Sequence, residues 1–122
     1  LMDLSRGGEE VIITGAARLI DLPEYTDADQ LRKLMVALED RENLVSLLDE
    51  VIDAGSVTVY IGSEAGELGE ARLSLVVAPY KDGEAPVGAI GVLGPTRMDY
   101  ARIMPLVGAT AAAISAAIKK GR

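Results

Sequence analysis

Cysteine and histidine are both absent from the 122 residues. Their absence removes disulfides, thiol nucleophiles, thiolate or imidazole metal sites and any Ser-His triad from this chain. Tryptophan and phenylalanine are missing too, and the four aromatics are all tyrosine. The core must therefore be built from Leu, Ile, Val, Ala and Met. The start of the sequence lacks the basic and apolar regions of a signal peptide, and no apolar run approaches the roughly 18 residues of a membrane span. Those absences point to a cytoplasmic chain away from the membrane.

A net charge of −7 weighs against this piece itself holding nucleic acid, because backbone binding is driven by Lys and Arg neutralising phosphates. If DNA is bound, another domain binds it. With 49% hydrophobic and 25% charged residues, the composition is that of an ordinary folded domain, and 122 residues allow one core. The opening Leu1-Met2-Asp3-Leu4 shows no obvious first turn or strand, which suggests a piece of something longer. Ser5 to Glu10, with Gly7 and Gly8, reads as a loop, so residues 1–9 are assigned to a linker.

Val11, Ile12 and Ile13 form a short β-branched run ended by Thr14 and Gly15, the pattern of a buried strand. Pro23 stops the turn that follows. Thr26 or Asp27 can cap a helix carrying Leu31, Leu34, Met35 and Leu38 at helical spacing. After the polar block Glu39 to Asn43, the residues Leu44, Leu47, Leu48, Val51 and Ile52 resume the spacing in a shifted phase. Two helices, or one bent helix, are predicted, ending at Gly55. The acids Glu39, Asp40, Glu42, Asp49 and Glu50 make a solvated face in preference to a docking surface for a basic partner.

Val57 to Gly62 and Ala71 to Ala78 read as strands, the latter with Leu73, Leu75 and Val77 on one side. Asp82-Gly83 signals a hairpin turn into a third strand, Val87 to Leu93, where Gly88 and Gly91 suggest close backbone approach. Thr96 and Asp99 then have the spacing of a capping box, with Pro95 and Tyr100 at the positions of a hydrophobic staple. In the last helix Pro105 predicts a kink or restart near Met104. Beyond it Val107, Ala111, Ile114 and Ile118 keep one apolar stripe, and Gly121 closes the helix. Strand, helices, a three-stranded antiparallel meander and a terminal helix make an α+β sandwich. Element order alone also permits a profilin-like or PAS-like sheet.

The stretch from Leu93 to Val107, LGPTRMDYARIMPLV, closely resembles the most characteristic segment of the heat-inducible transcription repressor family, HrcA. The resemblance is carried by Gly94, Pro95, Thr96, Arg97, Met98, Asp99, Tyr100, Arg102, and Pro105 to Val107. Weaker similarity covers the Gly15 region, Tyr25 to Val51, and Ile61-Gly62-Ser63-Glu64. Ala109 stands where the family often has an aromatic. The resemblance implies a GAF-like antiparallel sheet with helices packed on its faces, spanning residues 10–122, and no cofactor. It also implies that residues 1–9 lie at the end of a dimerising insertion, so that an early helix or strand of the GAF-like unit is missing. In the family a separate winged-helix domain binds an inverted-repeat (CIRCE) operator upstream of chaperone genes. The resemblance further implies a homodimer in the full-length protein and restoration of its activity by the GroEL chaperonin.

Four chemical readings were open on the residues themselves. The loop Gly62 to Gly69, with Glu64 and Glu67, could close over a ligand or hold a hard cation, but a mobile connection between strands explains it more simply. It is no P-loop, since no Gly-Lys-Ser/Thr follows, and Ser63 lacks both the nucleophile-elbow spacing and a histidine base. Arg97 and Arg102 could clamp an anion; an ion pair with Asp99 or another surface acid is preferred. Tyr100 is assigned to staple packing. With no carboxylate pair distinguished as acid and base, an enzyme is disfavoured. The expected role is regulatory and assembly domain of such a repressor; the alternative is a free-standing GAF-type small-molecule sensor, with Gly15, Gly62, Glu64, Arg97 and Arg102 as candidate ligand or partner contacts.

Overall fold

The computed structural model describes residues 2–7, 10–62 and 67–121. Five strands form one antiparallel sheet in the order β2-β1-β5-β4-β3. In chain order the elements are β1 (Met2–Gly7), β2 (Glu10–Thr14), α1 (Ala16–Ile20), a 3-10 turn at Pro23–Tyr25, α2 (Ala28–Glu39), α3 (Arg41–Ala54), β3 (Thr58–Ile61), α4 (Glu67–Glu70), β4 (Leu73–Asp82), β5 (Ala85–Pro95) and α5 (Tyr100–Lys120). Helices lie on both faces of the sheet. This is the GAF-like α+β architecture.

The helices start and stop where side-chain chemistry dictates. Asp27 caps α2 by accepting the Asp29 N–H, and Asp40 caps α3 by accepting the Asn43 N–H at 3.1 Å. The polar block thus separates two helices, and Asp40 is their joint. Gly55, at φ 73, closes α3 in the left-handed conformation that costs a glycine nothing. Leu34, Leu44, Leu48 and Val51 are fully buried, whereas Met35 faces solvent. Each buried leucine contributes about 1.5–3 kcal/mol relative to exposure.

Strand β4 is covered on both faces. Leu73, Leu75 and Val77 point into a core with Leu19, Leu34, Leu44, Leu48 and Leu68. Val76 and Ala78 point the other way, into a second core with Met98, Ile103, Val107 and Ala111. The hairpin β4–β5 turns at Gly83, whose φ of 67 fits the predicted tight turn. A methyl group on Gly88 would collide with the Tyr80 ring, and one on Gly91 would sit 2.8 Å from the Val76 carbonyl oxygen. Both glycines are there because the backbone comes close.

Several expectations are corrected. Residues 2–7, assigned to a linker, form β1, wedged between β2 and β5 with Leu4 paired to Gly91 and Arg6 to Ala89. Its partner β5 lies more than eighty residues away in the sequence, so nothing local announces it. Within the Gly62–Gly69 connection, expected to be a mobile loop, residues 67–70 form α4, anchored by fully buried Leu68 and by the contact of Gly69 with the Gly62 backbone. Glu64 lies outside the described residues. Helix α5 runs unbroken through Pro105, so no restart occurs near Met104. Proline there forfeits the one bond that would reach the Ala101 carbonyl. Finally, α5 is long and apolar enough to cross a membrane by length and composition, contrary to the expectation that no apolar run came near that length. Its Ile103, Val107 and Ala111 side is built into the second core.

Candidate functional site

The junction of β5 with α5 carries the residues singled out by sequence. The predicted capping box is not formed. Strand β5 continues to Pro95, paired with Leu73, and the Thr96 N–H donates to the Arg72 carbonyl at 3.2 Å. A turn closed by Met98 N–H donating to the Pro95 carbonyl follows, and α5 begins at Tyr100 with Asp99 as its N-cap residue, without a side-chain cap bond. The ladder outcompetes the local pattern. Arg72 sits at φ 58, an uncommon conformation for a residue with a side chain, at the entry to β4 where its carbonyl meets Thr96.

Tyr100 is a polar tether instead of a staple. Its hydroxyl donates to the Thr96 carbonyl at 2.7 Å and lies 2.8 Å from Ser74 Oγ. Ser74 is fully buried in β4, and its hydroxyl also reaches the Pro95 carbonyl at 3.4 Å. Tyr100 thus binds the first residue of α5 to β4 and to the turn that follows β5.

Arg97 pairs with Glu24, not with Asp99. Its Nε donates to one carboxylate oxygen at 2.9 Å and its terminal nitrogen to the other at 3.2 Å, the fork that a guanidinium offers a carboxylate. The Glu24 side chain is 16% exposed and that of Arg97 61%. The Arg97 guanidinium holds the Glu24 carboxyl below its ordinary value, and Glu24 in turn raises Arg97. Next to Glu24, the buried Tyr25 hydroxyl donates to the Ala71 carbonyl at 2.7 Å, and burial pushes that phenol up to about 12. Gln30 adds a bond from its amide to the Glu70 carbonyl. The motif turn, the 3-10 turn and the α4–β4 corner are therefore fastened to one another.

Beside this junction lies an open cleft of about 560 Å³, lined by Leu22, Pro95, Arg97, Met98, Asp99, Arg102, Ile103 and Leu106. Its floor is apolar: Met98 and Ile103 are buried. Its rim carries Arg97, already paired, with Asp99 and Arg102 exposed. Such a cleft suits a mostly apolar contact with one or two charged anchors; the charged rim offers no nucleophile with an adjacent base. Pro105 follows on the second turn of α5. Of the motif residues, Pro95, Arg97, Met98, Asp99 and Arg102 line this cleft, whereas Gly94, Thr96, Tyr100 and Pro105 do not. Gly15, at φ 86 between β2 and α1, and Gly62, at φ 66 after β3, do not line it. Leu22 and Glu24 belong to the junction and were missed, because the contacts that bring them there span some seventy residues of sequence. Among the described residues no group of three or more acidic side chains is placed to hold a metal.

The fold and this junction define a GAF-like domain whose most distinctive segment ties a β-hairpin to its terminal helix. The family model for the HrcA protein C terminal domain matches residues 1–104, and the chain belongs to that family. Similar curated proteins are heat-inducible transcription repressors HrcA. That of Sorangium cellulosum is 63% identical over 108 residues, covering 87% of this chain and 31% of the relative. That of Anaeromyxobacter sp. strain K is 38% identical, covering 92% and 32%, and that of Geobacter sulfurreducens 36%, covering 92% and 33%. The chain spans about a third of the length of these relatives. Among solved structures, one described as a crystal structure of a hypothetical protein at 2.2 Å resolution shares the fold, with a TM-score of 0.69 at 19% identity over 94% of this chain and 35% of that one.

Proposed function

We propose that this chain is the regulatory and assembly domain of a heat-inducible transcription repressor that acts in the cytoplasm as a homodimer. A separate winged-helix domain of the longer protein binds an inverted-repeat CIRCE operator and represses chaperone operons, and the GroEL chaperonin restores activity. Residues 10–122 form the GAF-like unit; β1 completes its sheet. The observation that carries this reading is the family match over residues 1–104, whose motif Gly94 to Arg102 is the junction that fastens hairpin, 3-10 turn and helix together. The charge of −7 supports the division of labour, because phosphate binding needs clustered cations.

Fluorescence anisotropy with a labelled inverted-repeat duplex tests it. The chain alone is expected to leave the duplex free, and the longer protein that contains it to bind with a steep salt dependence. Operator-specific binding by the 122-residue chain would overturn the assignment. The cleft beside Met98 favours a second reading, a GAF-type small-molecule sensor. A saturable rise in thermal stability against a metabolite panel, following RT ln(1 + [L]/Kd), would support it.

A further inference from the structure

Asp99 and Arg102 stand three residues apart at the start of α5, a spacing at which opposite charges on a helix can meet. Here they do not. Arg97, the other candidate partner of Asp99, is taken by Glu24 through two of its donors. Asp99 does not cap the helix with its side chain either, although it occupies the N-cap position. Among the described residues, neither the Asp99 carboxylate nor the Arg102 guanidinium has a hydrogen bond or an ion pair. One anion and one cation are therefore left unengaged within a turn of each other, and both line the cleft beside the junction.

Apart from Arg97, the rest of the lining is apolar. Met98 and Ile103 belong to the second core, and Leu22 is half-buried against the first. The Met98 thioether is soft enough to shape itself to whatever lies against it. Eight residues line the cleft, against about 20–30 a side in a protein interface. Its volume of about 560 Å³, in contrast, falls within the roughly 300–1,000 Å³ of small-ligand sites. The cleft has the size of a small molecule.

We propose that this cleft binds a zwitterionic aliphatic α-amino acid of the size of leucine, with its carboxylate on Arg102, its ammonium on Asp99 and its side chain on the floor formed by Met98, Ile103 and Leu22. Each feature of the site selects one part of that ligand. The guanidinium fork matches a carboxylate, and Asp99 supplies the counter-charge that an ammonium needs. A plain carboxylic acid would bring its charge near Asp99 with nothing to offset it, and a plain amine would meet Arg102 in the same way. The floor disfavours a polar side chain, which would lose its water there without gaining a partner. A zwitterion has no net charge, so the −7 of the chain does not repel it as it would an anion. The proposal rests on the small-molecule reading given above and supplies it with a site and a ligand class.

Amide NMR spectra of the 122-residue chain titrated with leucine test it. Saturable shifts confined to the amides of Leu22 and of the stretch from Arg97 to Leu106 are expected. Isocaproate lacks the ammonium, isoamylamine the carboxylate and glycine the side chain, and each is expected to bind more weakly than leucine by about tenfold or more. Arg102→Gln and Asp99→Asn are each expected to weaken leucine by a similar factor. Both side chains are exposed, and asparagine is as good an N-cap residue as aspartate, so the circular dichroism spectrum should not change. No saturation by leucine, isocaproate binding as tightly as leucine, shifts that map away from the cleft, or binding indifferent to either substitution would each overturn the proposal. If another metabolite raised thermal stability while leucine did not, the ligand class would fall and the sensor reading would stand. The titration uses no DNA, so its failure is distinct from a failed operator assay.

Discussion

Replacing Tyr100 by phenylalanine separates the two accounts of the hairpin–helix junction. Phenylalanine keeps the ring, and with it any staple packing against Pro95, but deletes the hydroxyl that donates to the Thr96 carbonyl at 2.7 Å and meets Ser74 Oγ at 2.8 Å. The Ser74 hydroxyl is fully buried and retains only the longer 3.4 Å approach to the Pro95 carbonyl, so it is left poorly satisfied; water can replace the lost donor at exposed Thr96. A buried polar group deprived of its partner costs about 1–3 kcal/mol, and Tyr100→Phe is expected to lose about 2 kcal/mol. Ser74→Ala should cost less, about 1 kcal/mol, because it removes the hydroxyl that the phenylalanine would strand. The double variant should then be less destabilised than the sum, by about 1 kcal/mol of coupling. Urea unfolding of the four proteins measures this, with m unchanged as the check that the unfolded state has not altered. A Tyr100→Phe variant as stable as the parent would refute the tether and restore the staple.

Other residues give sharper or smaller effects. Gly88→Ala should destabilise by about 2–3 kcal/mol in the same assay, since its methyl would meet the Tyr80 ring and stand 2.5 Å from the Arg6 carbonyl oxygen of β1. Leu48→Ala, at a fully buried site between α3 and the sheet, should cost about 2–5 kcal/mol. Arg97→Ala should have only a small effect on stability, because the Glu24 pair is exposed on the arginine side and screened by solvent. Glu24 is held below its unfolded value, so the pair contributes above that value and is lost as pH falls through the folded one; parent and Arg97→Ala should converge in acid. Tyr25 and Tyr60 are raised to about 12, chiefly by burial, from an unfolded value of 10. Their contribution is complete below pH 10 and disappears as pH rises toward 12, so alkaline unfolding followed by tyrosinate absorbance should be cooperative in that window. Independent titration of both phenols near pH 10 in the folded chain would contradict their burial.

Local signals in the sequence carried the parts of the fold that depend on neighbours along the chain. Asp27 with a following apolar period, the Asp40 joint, Gly55 and the Asp82-Gly83 turn each act within a few residues, and α2, α3 and the β4–β5 hairpin lie where they indicate. What depended on distant partners was hidden. The period-two alternation of Met2 and Leu4 with Asp3 and Ser5 is present, but the flanking glycines read as a linker, and the strand exists because β5 pairs with it. Helix α4 is a single turn fixed by the burial of Leu68 and the backbone of Gly62. At the junction, Thr96 and Asp99 have the right spacing for a cap, yet β5 runs to Pro95 and the Thr96 N–H is taken by the Arg72 carbonyl, so a turn follows and the helix starts only at Tyr100. The same long-range contacts hid Glu24 as the partner of Arg97. The motif itself was legible as a string, and its physical meaning only in three dimensions.

The central claim is that this chain is the carboxy-terminal regulatory domain of a longer repressor. Intact mass and amino-terminal sequence of the native protein, captured from its source cells with an antibody to this domain, test it most directly. The relatives it matches are about three times as long, so a native chain near three times this mass, opening with a basic winged-helix pattern, is the expected result. A native protein of about this length would contradict the claim and leave a free-standing sensor domain in its place.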